Sequence, residues 1–341
     1  MKIILLAGGL GTRLWPLPAK QFLGFGGEYS LLQRTLLRFL KKYSSQDLVI
    51  VTLESFFDLA RQQIEEICPS LKERIIAEKE GKNTAAAILF ALKWLEHEGE
   101  AFTSFLISPT DHLISPESVL LEKIEMAKKL EKRQHFLFGV FPTSPHVGYG
   151  YIECDFEHPL SKVTRFIEKP PLSLAEKFLQ SGNFLWHTGI CLFQKDLFFE
   201  ELKQHQIEMA NCYVEGNFDT CPFLSIDHAF LEHSQFLSVL SLPLSWSDIG
   251  SWDGLYDSLE KDRNENVKIG EVSDFNTQNC LIFSQKKLTV TFDVKDLIIV
   301  DTEHALLIAK RGSSQQISFR KEEKHNSSEA LDFLSGNLRP L

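Results

Sequence analysis

Lys2-Ile3-Ile4-Leu5-Leu6-Ala7-Gly8-Gly9-Leu10-Gly11-Thr12-Arg13-Leu14-Trp15-Pro16-Leu17 decides what kind of chain this is. The apolar run at 3–7 has no polar alternation, so it reads as a strand buried on both faces, the kind found in sheets covered by helices. Glycines break the run early, far short of the roughly 18 residues of a membrane span. It therefore reads as a strand entering a turn, not as a secretory leader. Glycines directly after a strand let backbone N–H groups approach an anion closely, and Arg13 in the same loop supplies charge. Gly9-x-Gly11 is followed by Leu14 where a dinucleotide fingerprint has its third glycine, and no Gly-Lys-Ser/Thr of a P-loop follows. On these residues alone the loop is either a phosphate cradle or a plain tight turn. Lys20 adds a second cation just beyond it.

Further along, short apolar runs at 48–53, 74–77, 105–108 and 136–141 alternate with helical patterns. Ser30 is placed as an N-cap before apolar positions 32, 36, 39 and 40 at helical spacing. Residues 56–67 and 84–95 are further helices, and Pro116 is placed to start one over 117–130. This alternation predicts an α/β fold with a mostly parallel sheet covered on both faces. After Pro142 the rhythm changes, with strands expected at 149–153, 163–168 and 185–193 and helices near 174–179 and 226–233. The polar run 262–266 suits a linker. Beyond it, β-type runs at 268–272, 280–283, 288–292, 297–300 and 305–309 predict a small all-β unit, a sandwich or a short β-helix. The tail 321–341 turns from polar to weakly amphipathic and suits a terminal helix.

Composition narrows the function. The chain has 341 residues, room for two domains of about 150 each. Its net charge of −10 argues against a broad nucleic-acid or anionic-membrane surface, so a phosphate-bearing ligand needs a local basic pocket. Six dispersed cysteines without a C-x-x-C pair point to a reducing, cytoplasmic setting.

Three more clusters carry chemistry. Ser108-Pro109-Thr110-Asp111-His112 ends a predicted strand, at the edge where open α/β sheets bind ligands; a lone Asp or His there is more often a cap or turn residue. Ser245-Trp246-Ser247-Asp248-Ile249-Gly250-Ser251-Trp252 brackets an Asp and a Gly with tryptophans and shows no clear period. Asp111 and Asp248 together would offer a divalent metal hard oxygen ligands and leave positions for substrate phosphates. Phe166-Ile167-Glu168-Lys169-Pro170-Pro171 sets a carboxylate beside an ammonium, which is also how a surface ion pair looks.

In their order and spacing these motifs resemble the sugar-1-phosphate nucleotidyltransferases, and specifically the mannose-1-phosphate guanylyltransferases. The resemblance runs from Met1 to about Tyr256 and more weakly beyond. The family's L-A-G-G-x-G-T-R-L-W-P-L is met by Leu6 to Leu17, and P-K-Q-F-L by Ala19-Lys20-Gln21-Phe22-Leu23. E-P-x-x-K-N-T-A-P-A-I corresponds to Glu78 through Ile88, P-x-D-H to Pro109 through His112, and G-Y-G-Y-I to Gly148 through Ile152. F-x-E-K-P is Phe166 to Pro170, S-I-D is Ser225-Ile226-Asp227, and W-S-D-x-G-S-W is Trp246 to Trp252.

The resemblance implies a Rossmann-like nucleotidyltransferase domain over 1–262 and a β-rich domain over 267–341, in a homodimeric cytoplasmic enzyme. It implies transfer of GMP from GTP to α-D-mannose 1-phosphate, giving GDP-mannose and pyrophosphate by Mg²⁺-assisted in-line attack on the α-phosphorus. Leu6, Ala7, Gly8, Gly9, Gly11, Thr12 and Arg13 would hold the nucleotide with Pro109 and Asp111, while Glu78, Lys82 and Asn83 lie around its guanosine side. Gly150, Glu168, Lys169, His187, Gly189 and Asp248 would hold the sugar phosphate, and Asp111 and Asp248 would bind Mg²⁺. Arg13, Lys20, Asp111, Lys169 and Asp248 would carry the catalysis. The sequence departs from the pattern at the short Pro18-Ala19 bridge, at Lys79 and Ala86 in place of prolines, and at His187-Thr188-Gly189 in place of Asn-Ser-Gly. His187 keeps other sugars, a heptose or another hexose, in play. A non-catalytic paralogue that binds GDP-mannose is the remaining alternative, although such a chain should have lost its carboxylates or cations.

Overall fold

Strand β1 (Lys2–Leu6) is an interior strand of the molecule's main sheet, with Ile3, Ile4 and Leu5 fully shielded from solvent. The structure is a computed structural model that describes residues 1–17, 19–130, 133–155, 160–314 and 317. Its packing separates two units, one of residues 1–9 and 21–249, the other of residues 10–20 and those from 250 onward.

In the first unit β1 is followed by α1 (Leu31–Leu40), β2 (Leu48–Leu53), α2 (Phe57–Ile67), β3 (Ile75–Glu78), α3 (Asn83–His97) and β4 (Ser104–Pro109). Then come β5 (Leu113–Ser115), α4 (Glu117–Lys129), β6 (His135–Val140), β7 (Tyr151–Cys154), β8 (Ser161–Ile167), α5 (Leu172–Ser181) and β9 (Phe184–Gln194). Helices α6 (Lys195–His205) and α7 (Ile207–Glu215) and strands β10 (Leu237–Ser241) and β11 (Ser245–Ser247) complete it. Ser30 is the N-cap of α1: its hydroxyl accepts from Gln33 N–H while the Gln33 side chain returns a bond to the Ser30 backbone.

The nine-stranded sheet runs in the order β3-β2-β1-β4-β9-β6-β10-β8-β7. It is parallel across β3-β2-β1-β4 and between β6 and β10, as the strand–helix alternation predicts. The long strand β9 runs antiparallel to β4, β6 and β7, and β8 is antiparallel to β7 and β10, so the second half of the sheet is mixed. Successive strands wind away from β1 on one side through β2 and β3 and on the other through β4. That makes the β1–β4 boundary a topological switch point, where the carboxyl ends of the strands leave a crevice.

In the second unit, β12 (Val267–Ile269), β14 (Leu281–Ser284) and β16 (Leu297–Asp301) stack in parallel, and β13 (Val272–Phe275) stacks on β15 (Thr289–Phe292) as a second face. This is a short β-helix, one of the two forms the spacing allowed. β17 (Leu306–Lys310) reverses onto β16. The corners need left-handed backbone, and Asn276, Asn279, Asp293 and Asp296 supply it; these short polar side chains tolerate positive φ. They also pair rung to rung, Asn276 with Asp293 (2.5 Å) and Asn279 with Asp296. The run 262–266, read above as a linker, lies inside this unit. Asp262 accepts there from the N–H groups of Asn264 and Asn266, and the Asn266 amide bonds Thr277 O and Cys280 N in the interior. The unit also contains helix α8 (Trp252–Ser258), capped by Ser251. The tail 321–341 lies outside the described residues.

Candidate active site

The turn after β1 is held from three sides. Leu6 O accepts from the backbone N–H (3.2 Å) and the hydroxyl (2.9 Å) of Thr110, which ties the ends of β1 and β4 together. Ala7 O accepts from the Thr52 hydroxyl (3.2 Å). The buried Gln21 amide donates to Ala7 O and to Gly9 O, each at 2.9 Å, so the carbonyls of the turn are tied inward. Backbone fixed in this way is preorganised for an anion. Gln21 and Thr110 are positioning groups that the sequence reading quoted within its motifs without giving them a role.

Beside Gly8 stands Glu78, the last residue of β3. Its Oε2 lies 4.0 Å from where a Cβ on Gly8 would be. Burial lifts its carboxyl from 4.5 to about 7, opposed by the hydrogen bond it receives from the Lys82 backbone. Asn83 starts α3 with a left-handed φ of 72°, and its Oδ1 accepts from Thr84 N–H at 2.8 Å. Glu78, Lys82 and Asn83 thus follow one another from the end of β3 into the first turn of α3.

The two carboxylates expected to act together are brought together by a small ladder. β5 and β11 pair antiparallel with Leu113 opposite Ser247, so Asp111 and Asp248 lie just past the same end of that ladder. Tyr149 donates its hydroxyl to Asp248 Oδ1 at 2.9 Å. Trp246 Nε1–H donates to His112 Nδ1 at 3.2 Å, which leaves the His112 proton on Nε2, 3.4 Å from Asp111 Oδ1. Each carboxylate therefore has an ordered neutral donor beside it. Two carboxylates are hard oxygen donors of the kind and number Mg²⁺ commonly takes beside water and substrate phosphate. Among the described residues no group of three or more His, Cys, Asp or Glu side chains could hold an ion.

A second cradle forms where β7, β8 and β9 meet. A Cβ on Gly150 would come within 2.8 Å of Glu168 Oε2, 3.0 Å of Phe166 and 3.3 Å of His187, so a larger residue there would displace the Glu168 carboxylate. Glu168 is largely buried, and burial together with nearby Asp227 pushes its carboxyl up; Lys169, 2.5 Å away, pulls it down. The Lys169 side chain is mostly exposed. Glu168–Lys169 is therefore not a plain surface ion pair, because one partner points inward. Gly189 (φ +71°) lies against Pro109, whose Cγ would be 2.9 Å from a Cβ there. His187 is buried and donates its backbone N–H to Gly150 O at 2.8 Å. Asp227, which contributes to this cradle, was noted in the sequence only as part of S-I-D.

Gly11, Thr12, Arg13 and Lys20 belong to the second unit. There Thr12–Leu14 form a single 3-10 turn, Gly11 has φ 60° with a Cβ position 3.0 Å from Lys20 N, and Arg13 is exposed. Trp252, fully buried, donates its indole N–H to Trp15 O at 3.0 Å.

Comparison with known proteins agrees with this geometry. Residues 2–265 match the nucleotidyl transferase family, and 270–318 match the MannoseP isomerase/GMP-like beta-helix domain. A Salmonella montevideo mannose-1-phosphate guanylyltransferase is 35% identical over 92% of this chain and 72% of its own length. A Klebsiella pneumoniae protein of the same name is 32% identical over 98% and 74%. Among solved structures, a Thermus thermophilus protein described as a mannose-1-phosphate geranyltransferase has a TM-score of 0.81. It is 24% identical and covers 92% of this chain and 96% of its own, which shows the shared fold. The chain belongs to the nucleotidyl transferase family, in its mannose-1-phosphate guanylyltransferase branch, and is a sugar-1-phosphate nucleotidyltransferase.

Proposed function

We propose that the enzyme transfers GMP from GTP to α-D-mannose 1-phosphate, releasing pyrophosphate and forming GDP-mannose. The observation that carries this reading is the meeting, in one unit, of the tied Gly8–Gly9 turn, the Asp111/Asp248 pair and the Gly150–Glu168–His187 cradle. The guanylyltransferase relatives support the choice of nucleotide and sugar.

A phosphate monoester dianion is already a competent nucleophile, so the residues need only align two anions and offset their charge. Leu6, Ala7, Gly8, Gly9, Gly11 and Thr12 line the nucleotide with Pro109, and Arg13 and Lys20 offset triphosphate charge. Glu78, Lys82 and Asn83 take the guanosine end. Glu168 orders sugar hydroxyls with backbone at Gly150 and Gly189, and Lys169 pairs with the sugar phosphate. Asp111 and Asp248 would hold Mg²⁺, which when bound neutralises phosphate oxygens. Tyr149 and His112 keep those carboxylates oriented. We read the protein as a cytoplasmic homodimer, with residues 1–262 carrying the chemistry and 267–341 the β-rich domain.

One observation favours a second reading. His187 differs in reach from an asparagine, and the same chemistry on another sugar 1-phosphate would follow from it. Pyrophosphate release across a matrix of nucleoside triphosphates and sugar 1-phosphates tests both. The highest kcat/KM is expected for GTP with mannose 1-phosphate; a clear preference for a heptose or glucose phosphate would transfer the assignment to that sugar. A chain that bound GDP-mannose but turned over no pair would be the non-catalytic paralogue.

A further inference from the structure

His187 is more than a lining residue, because its two ring nitrogens have unlike surroundings. Nε2 lies 3.7 Å from Asp227 Oδ1 and 3.8 Å from Cys191 Sγ. Nδ1 is buried and has no hydrogen-bond partner among the described residues. Unpartnered buried polar atoms are uncommon and costly, and one beside a cradle marks a place where a ligand can supply the missing bond. The ring packs edge-on against Phe166 at 5.3 Å, and its Cβ lies 3.3 Å from where a Cβ on Gly150 would be, a position that Glu168 also borders.

The carboxylate facing Nε2 is itself built in with care. Asp227 opens a five-residue π-helix, Asp227–Leu231. Such turns are rare and are found most often at functional sites. The approach to it is fixed by Ile226 N–H donating to Thr84 Oγ1 (2.8 Å) and His228 N–H donating to Ser225 Oγ (3.3 Å). The Cys191 thiol, raised by burial, stays protonated and offers no competing anion.

We propose that Asp227 is a positioning residue that holds the His187 proton on Nε2, leaving Nδ1 as a buried acceptor for one hydroxyl of the sugar phosphate. The proposal rests on reading the Gly150–Glu168 cradle as the sugar site. A neutral imidazole has one donor and one acceptor, and a carboxylate facing Nε2 selects which is which. The opposite tautomer would set the Nε2 lone pair toward a carboxylate oxygen and bury an unmatched N–H at Nδ1. Burial also keeps the ring neutral, lowering its pKa from 6.5 to about 4. Asparagine at 187 would place an amide oxygen the same number of bonds from Cβ as Nδ1, and that oxygen would not depend on Asp227.

Nitrogen-15 NMR of the full chain with labelled histidine tests this, the His187 signals being identified by their loss in His187→Asn. In the free wild-type protein, a protonated Nε2 and an unprotonated Nδ1 are expected, and Nδ1 alone of the two should shift markedly on addition of GDP-mannose. Asp227→Asn should move the proton toward Nδ1. It should also raise KM for mannose 1-phosphate about tenfold, with KM for GTP changed less than about twofold. In the His187→Asn background the same change at 227 should alter neither KM by more than about twofold.

A protonated Nδ1 in the free wild-type protein would overturn the role given to Asp227, and that measurement needs no variant at 227. Binding of GDP-mannose that moves other signals but leaves Nδ1 unmoved would overturn the acceptor role. Failure of GDP-mannose to bind at all would count instead against the sugar reading on which the acceptor half stands, while the free-protein tautomer still decides the Asp227 half.

Discussion

The Tyr149 phenol donates to Asp248 Oδ1 across 2.9 Å, so a residue adjoining the Gly150–Glu168 cradle orders one of the two carboxylates at the end of the β5–β11 ladder. Burial and the Asp248 charge both push the phenol's pKa up, so it remains a donor at every working pH. Hydrogen bonds to a charged group are worth about 1.5–3 kcal/mol. Tyr149→Phe should therefore leave the fold intact and raise the Mg²⁺ concentration needed for half-maximal rate about ten- to a hundredfold. A Mg²⁺ titration of initial rate checks this, and an unchanged midpoint would remove Tyr149 from the carboxylate's support.

Asp111→Asn and Asp248→Asn keep shape while removing charge. Each should lower turnover in Mg²⁺ by about a hundredfold or more, with far-UV circular dichroism and melting temperature close to wild type. Near-normal turnover by either variant would sink the two-carboxylate site.

The proposed function divides the cations between substrates. Arg13→Ala should raise KM for GTP, whereas Lys169→Ala should raise KM for the sugar phosphate, each by about ten- to a hundredfold. If both variants moved only the GTP constant, the assignment of Glu168–Lys169 to the sugar half would be wrong.

Glu78 gives a pH signature. Its carboxyl is raised from 4.5 to about 7 in the fold, so between those values the unfolded chain has released a proton that the folded chain retains. Stability should then fall as pH rises through this window and level off above it. His187, lowered from 6.5 to about 4, works in the opposite sense across much of the same range, since the unfolded ring takes up a proton that the buried ring refuses. Glu78→Gln should remove the falling contribution and leave the rising one. Urea midpoints at several pH values for the two proteins measure the difference, and parallel curves would show that the carboxyl is ordinary.

Gly270 should be irreplaceable in the β-helix. A Cβ there would fall 1.9 Å from Ser284 O, at φ +87°. Gly270→Ala should cost about 3 kcal/mol or more, because backbone has to move. Gly312 has a similar φ of +83° but nothing near its Cβ position, so Gly312→Ala should cost only about 1 kcal/mol. Thermal melts of the two variants separate crowding from strain.

Much of this molecule could be read from its residues, and the parts that could not share a physical cause. The strands near β1 were legible because they are buried on both faces and run as unbroken apolar stretches. Helices α6 and α7 were missed: charged and aromatic residues crowd Lys195–His205, and the chain breaks at Gln206 before resuming. β10, β5 and β11 are short and draw their stability from partners distant in sequence. The β-helix did carry a signal that periodicity of apolar residues hides. Phe275-Asn276-x-x-Asn279 recurs as Phe292-Asp293-x-x-Asp296, with the polar corners seventeen residues apart. At the candidate site the motifs gave roles to Asp111, Asp248 and His187, while Tyr149, Trp246 and Asp227 stood in quoted motifs without one. These three act through angles and distances that no spacing rule encodes.

The bond from Trp252 to Trp15 spans 237 residues. The indole is therefore translated long after the segment it holds, and the packing that joins residues 10–20 to those beyond 250 can form only once both stretches are present. Domains tend to fold as units during synthesis, N-terminal first. The second unit departs from that order, because one of its segments waits for the rest of its own unit, while the neighbouring Gly8–Gly9 turn is already tied by Gln21, Thr52 and Thr110.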